Sequence, residues 1–236
     1  MERSSGSHEE TAKLDESPGR AGDAVLGEAR WPMVGAVLAA IVLTILLPDS
    51  VRVGPRWLLP GLEGVLLVIL IVGDPVTISR RTRALRWVSI GLVFLLVLAT
   101  LWSTGLLIHD LIEGGPETNS ASDLLAAGSA VWLSNIIAFS LLYWEIDGGG
   151  AAARANRIPH HEDFAFPQQS NPQLASPDWR PKFVDYLYLG FTNATAFSPT
   201  DVMPLAPWAK MTMAVQSVIS IAILGLVIAR AVNVFT

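Results

Sequence analysis

Apolar residues run together along this chain in long stretches separated by short polar ones. Five of them, 31–47, 57–73, 87–109, 124–146 and 209–229, approach or exceed the about 20 residues that a helix needs to cross roughly 30 Å of hydrocarbon. Tryptophans stand at or near the ends of several (Trp31, Trp57, Trp87, Trp144, Trp208), where an amphipathic ring favours the headgroup level. A large soluble core also produces apolar runs, but not four or five of this length divided by short loops. A sixth stretch, 183–199, is interrupted by Asp185, Thr192, Asn193, Thr195 and Ser198, and predicts either a short span or a re-entrant pore helix. The expected fold is all-α, a polytopic membrane helix bundle of about six spans, the fifth of them the ambiguous one.

The polar remainder sets the boundaries. Residues 1–30 are rich in Ser, Gly and Glu with no apolar run, too little to offset the entropy of ordering, and read as a disordered cytoplasmic tail. No apolar signal core lies there, so the stretch from Trp31 is expected to be retained as a first span. Residues 31–146 then form a four-span bundle, 147–182 a loop and 183–236 a pore-like hairpin of pore helix or short span, turn and last span. The loop opens Gly148-Gly149-Gly150 and carries Pro159, Pro167, Pro172, Pro177 and Pro181, which forbid regular structure through most of it. Its Phe164, Phe166 and Trp179 are expected on the membrane surface or folded back on the bundle.

Composition strengthens the membrane reading. Apolar residues make up 51% of the chain and charged ones 16%, against about a quarter in soluble domains. There is no cysteine, which removes disulfides and thiolate chemistry, and the net charge of −5 argues against a nucleic-acid partner. Lysine and arginine orient the bundle. With residues 1–30 inside and 183–199 crossing, only Arg52, Arg56 and Lys210 fall outside, whereas an external tail with 183–199 merely dipping reverses the bias. The expectation is six crossings in a bacterial inner membrane, N- and C-terminus both cytoplasmic.

From Asp185 the chain reads DYLYLGFTNATAFSPTDVMPLAPWAKMTMAVQSVISIAILGLVIARAV. This resembles the pore region of potassium channels: an aromatic-rich pore helix ending near Thr195, then Asp201, Pro204, Trp208, Ala209, Lys210 and an inner helix with Gly225. Together with the YWEIDGGG segment, the FTNATAFSPTD turn also resembles a bacterial integral-membrane family, domain of unknown function 1345, over most of 31–236. A potassium filter stacks backbone carbonyls of a Thr-Val-Gly-Tyr-Gly run. The matching positions here are Ala196, Phe197, Ser198, Pro199 and Thr200: both glycines are gone, and Pro199 restricts its own backbone and that of Ser198. The resemblance therefore implies a pore-like frame without a potassium-type filter.

Two readings of the hairpin stay open. In one, Thr192, Asn193, Thr195, Phe197, Ser198, Pro199, Thr200, Asp201 and Pro204 border an ion path. In the other, the polar ones among them are packing groups and turn chemistry before a span. Elsewhere, Glu63 lies about 9 Å into its span, a functional candidate unless it is solvated beneath the headgroups. Asn135 and Gln216 read as cross-helix hydrogen-bonding groups, and Gly225 with Ala229 suits close helix approach, within the bundle or between subunits. The His160-His161-Glu162-Asp163 run lacks the spacing of a metal-binding helix and reads as solvated loop. No G-x-S-x-G or H-E-x-x-H motif appears, so catalytic, cofactor and metal residues are expected to be none. The leading functional expectation is an ion-channel-like, homo-oligomeric protein partnered by the lipid bilayer and inorganic ions. The alternatives are a non-conducting structural or partner-binding membrane protein, or a small transporter.

Overall fold

A computed structural model describes residues 28–73, 77–78, 82–114, 120–156, 161–171, 173, 175–176, 179–195 and 201–235. Residues 1–27 of the expected tail lie outside the described residues. The fold is all-α. Its principal helices are α1 (Trp31–Leu46), α2 (Leu58–Gly73), α3 (Arg83–Glu113), α4 (Ala121–Ile146), α7 (Phe183–Ala194) and α8 (Pro207–Phe235). Short helices α5 (Ala151–Ala155) and α6 (Pro167–Ser170) interrupt the long loop. Two antiparallel strand pairs complete it: β1 (Glu28–Ala29) with β2 (Thr77–Ile78), and β3 (Phe164–Ala165) with β4 (Met203–Pro204).

Local chemistry sets the helix ends. The hydroxyl of Thr82 accepts from Leu85 N to cap α3, and Ser120 does the same for Asp123 N on α4. Helix α3 stops at Gly114, whose φ of 87° is left-handed and whose N–H donates to the Asp110 carbonyl. Helix α4 stops at Gly148-Gly149-Gly150, where φ is 57°, 80° and 94°. Such a run of left-handed backbone is open to glycine at little cost.

Three helices, α3, α4 and α8, are long and apolar enough to cross a membrane. Helices α1 and α2 have 16 residues each, about 24 Å, short of a full crossing. The outward faces are apolar: Val42, Val68, Phe94, Trp102, Val218 and Ile228 are all more than half exposed. A surface so greasy over whole helix faces belongs against lipid, and membrane location follows from these spans. The core sits between α1, α3, α4 and the hairpin, where Leu92, Leu124, Tyr143, Phe164, Phe183, Tyr186 and Ile223 are almost fully buried.

Contacts fix the direction of every element. Arg30 donates to the carbonyl of Leu70 near the end of α2, and Glu28 accepts from Trp144 Nε1 near the end of α4, so residues 28–30 stand at what we term the proximal end. Helices α1 to α4 alternate in direction. Helix α8 starts proximally, with Trp208 against Phe164, and pairs Ser220 with Asn135 farther down α4. A methyl placed on Gly128 would meet Val227, so α8 reaches the opposite, distal end.

Helix α7 also starts proximally: Phe183 packs edge-on to Trp144 and its N–H donates to Glu28. It has only 12 residues, about 18 Å. By Asn193 it has reached the level of Met213 and Gln216, part-way down α8, and the chain is back at the proximal end by β4. The stretch read as either span or pore helix therefore dips and returns. Residues 28 and 230 in consequence sit at opposite ends of the bundle, whereas six full crossings would put both flanks at one end.

The loop 147–182 folds onto the bundle rather than along its surface, with Phe164 and Phe166 buried. Its anchor is Asp147. One carboxylate oxygen accepts from Asp163 N (2.9 Å) and Phe164 N (3.2 Å), the other from the Tyr186 hydroxyl. Asp163 accepts in turn from Gly148 N (3.2 Å) and Trp208 Nε1 (3.0 Å), so the expectation of a solvated acidic run fails at that residue. The sequence gives no hint of this, because the partners come from four separate segments.

Candidate functional site

The hairpin is held by one closed polar network. Gln216, fully buried on α8, accepts from the Tyr143 hydroxyl and from Asn193 Nδ2, both at 2.7 Å, and donates to the Gly190 carbonyl at 3.0 Å. Asn193 spends its other N–H on the Met213 carbonyl (2.9 Å), and its oxygen accepts from Ser217 at 3.1 Å. Both N–H groups of Asn193 and one of Gln216 are thus used. Thr192 and Thr195 return their hydroxyls to carbonyls one turn back, on Tyr188 and Phe191. Asn135 donates to Ser220 (2.8 Å), joining α4 to α8. Of these side chains, Asn135, Asn193 and Gln216 reach across to other helices. Pro204 lies in β4 opposite Phe164, and Asp201 is exposed just before it. Phe197, Ser198, Pro199 and Thr200 lie outside the described residues.

Glycine makes the close packing of α7 possible. A Cβ on Gly190 would sit on the Ser140 hydroxyl and 3.2 Å from the Ile136 carbonyl of α4. The approach of backbone to backbone is what lets a helix of three turns bury Tyr186, Leu189 and Asn193 together.

Glu63 presents the opposite case. It is fully buried on α2, and neither carboxylate oxygen has a hydrogen-bond partner within the protein. It lines a cavity of about 20 Å³ shared by α1, α2, α3 and α4. Thr44, Thr100, Ser103 and Ser134 line the same cavity, and the other walls are Ala, Leu and Val. The Ser134 hydroxyl is itself buried without a partner, while Thr44 donates to the Ala40 carbonyl at 3.0 Å and keeps its lone pairs. The four hydroxyl residues could not be linked to Glu63 from sequence, since they stand in three other spans with no shared spacing.

A second cavity, about 50 Å³, opens at the proximal end between Arg30, Arg86, Ser89 and Glu145. Ser89 donates to Glu145 at 2.6 Å, and Arg86 donates to the Gly149 carbonyl. Glu28, close by in β1, has its carboxyl raised above the ordinary range because burial outweighs the stabilising N–H groups of Phe183 and Trp144. Among the described residues no group of three or more His, Asp or Glu is placed to hold a metal ion.

Comparison with known proteins adds no relative: no family model matches the chain, and no curated protein or solved structure matches it either.

Proposed function

We propose that this chain is a multi-pass membrane protein that moves a proton or a small cation through its own helix bundle, a small transporter rather than an enzyme. The observation that carries the reading is Glu63, an ionisable side chain buried at membrane depth with no partner, in a polar cavity walled by four helices. A lone carboxylate is costly in hydrocarbon, and such residues are kept where they handle ions or protons. In this reading α1 to α4 and α8 all cross, the two short helices being accommodated by local thinning and by Trp31 and Trp57 at their ends. The proximal end faces the cytoplasm. It carries Arg30, Arg83, Arg86, Arg154, Arg180, Lys182 and Lys210, whereas the distal end carries Arg52, Arg56 and Arg230.

One observation favours a second reading, a pore between copies of the chain. Helix α7 dips and returns beside α8 in the manner of a pore loop. The closed network of Asn193 and Gln216 weighs against it, because pore-lining groups must be free to meet an ion.

Two measurements on purified full-length protein separate the readings. In proteoliposomes carrying an ion or pH gradient, the first predicts flux that Glu63→Gln abolishes. In planar bilayers, the second predicts unitary conductance that Asp201→Asn alters and Glu63→Gln leaves intact. Folded protein that gives neither flux nor conductance overturns both in favour of a structural role.

A further inference from the structure

From the cavity at Glu63 we infer that the site binds a bare monovalent alkali cation, with the protonated carboxyl as its competing state. The inference rests on the ion-handling reading and deepens it. The volume, about 20 Å³, exceeds the about 10–15 Å³ that one water-sized particle requires, and Glu63 itself is fully buried. An entering cation must therefore exchange its water shell for protein oxygens. The oxygen-bearing residues around Glu63 are Ser134, whose hydroxyl is likewise buried without a partner, and Thr44, Thr100 and Ser103. Hard oxygen donors without imidazole or thiolate suit alkali and alkaline-earth ions over transition metals.

Charge balance then decides the valence. No Lys, Arg or His lines the cavity from any of the four helices packed around it. Arg52, nearby in sequence to the α1 terminus, is held by Asp49 and by the Leu47 carbonyl. One carboxylate and one monovalent cation leave the site neutral, as does one carboxylate and one proton. A divalent ion would leave a net positive charge in a low-dielectric interior, which costs many kcal/mol. Cation and proton are thus alternative occupants of one position, and binding of one releases the other.

The test is thermal unfolding of the full-length protein in detergent, at constant ionic strength, with sodium, lithium or potassium chloride replacing choline chloride. At alkaline pH at least one alkali ion raises Tm saturably. Lowering the pH weakens its apparent affinity, approaching tenfold per pH unit once the carboxyl is mostly protonated. Glu63→Gln removes the dependence on that ion, and Ser134→Ala weakens it several-fold. If Glu63→Gln does not fold, the Ser134→Ala and Ser103→Ala titrations carry the test alone. An alkali-independent Tm in the wild type, or the same response in folded Glu63→Gln, overturns the site. Binding without flux in proteoliposomes leaves the site standing and overturns only the transport reading. Flux in which Tm never responds to an alkali ion overturns the cation and leaves the proton.

Discussion

The close approach of α7 to α4 at Gly190 makes a quantitative prediction. Gly190→Ala adds one methyl, directed at the Ser140 hydroxyl and 3.2 Å from the Ile136 carbonyl. The hydroxyl can be removed by a second mutation, but the carbonyl is backbone and cannot yield without moving α4. Overpacking of this kind costs about 1–3 kcal/mol. Ser140→Ala alone loses only a bond to the Ile136 carbonyl within its own helix, at 2.7 Å, and is expected to stay within about 0.5 kcal/mol of wild type. The double variant should recover part of the loss, and not all of it. The coupling in the cycle is then favourable by more than about 0.5 kcal/mol, the range found for residues in contact. Reversible unfolding in mixed micelles, followed by tryptophan fluorescence, supplies the four free energies. Strict additivity would refute the close approach, and with it the packed re-entrant hairpin.

Other expectations follow from the same geometry. Gln216→Leu strands the Tyr143 hydroxyl, an Asn193 N–H and the Gly190 carbonyl; at the about 0.6 kcal/mol typical of hydrogen bonds between helices in lipid, the loss is about 2 kcal/mol. A loss several times larger, measured in the same micelles, would instead indicate the about 1–3 kcal/mol per stranded group of a water-soluble core. Burial raises the Glu28 carboxyl, so the folded state keeps that proton to higher pH than the unfolded chain does. Its contribution to stability is therefore complete below the ordinary carboxylate range and is lost as pH rises through the raised value, a slope that Glu28→Gln should flatten in pH-dependent melts. Gly150→Ala meets both a φ of 94° and the Glu145 carbonyl 2.8 Å from the new Cβ, and should lower Tm by more than any exposed Gly→Ala change, such as at Gly35. For topology, cysteines at Asn171 and Val232, both exposed and at opposite ends, should label from opposite faces of sealed vesicles; labelling from one face would remove the odd number of crossings.

Much of the helical framework was legible because a membrane span writes itself as a contiguous apolar run. The stretches 31–47 and 57–73 agree with α1 and α2 to within a residue, and the three longer helices enclose the other runs. The depth of α7 was not legible. Its apolar and polar positions permit either crossing or re-entry, and the decision rests on Gly190 meeting Ile136 and Ser140, a contact 50 residues away in sequence that no local pattern encodes. Glu28 and Arg30 were read as part of the tail, yet they tie the first residues of the fold to Trp144, Phe183 and Leu70. Glu63 was singled out from its depth alone. The hydroxyls around it lie on three other helices and become a site once tertiary packing brings them together.

The shortness of α7 also bears on how the molecule is assembled. A segment of three turns carrying Asp185 and Asn193 has no reason to partition into lipid by itself, and its amide groups find partners only on α4 and α8. It is therefore the last piece to be seated, after α8 has been threaded through the bilayer, and it comes in sideways against partners already standing. Until then Gln216 and Tyr143 have only each other, and the groups that Asn193 and Gly190 satisfy mark an unfinished molecule for whatever machinery surveys newly made membrane proteins.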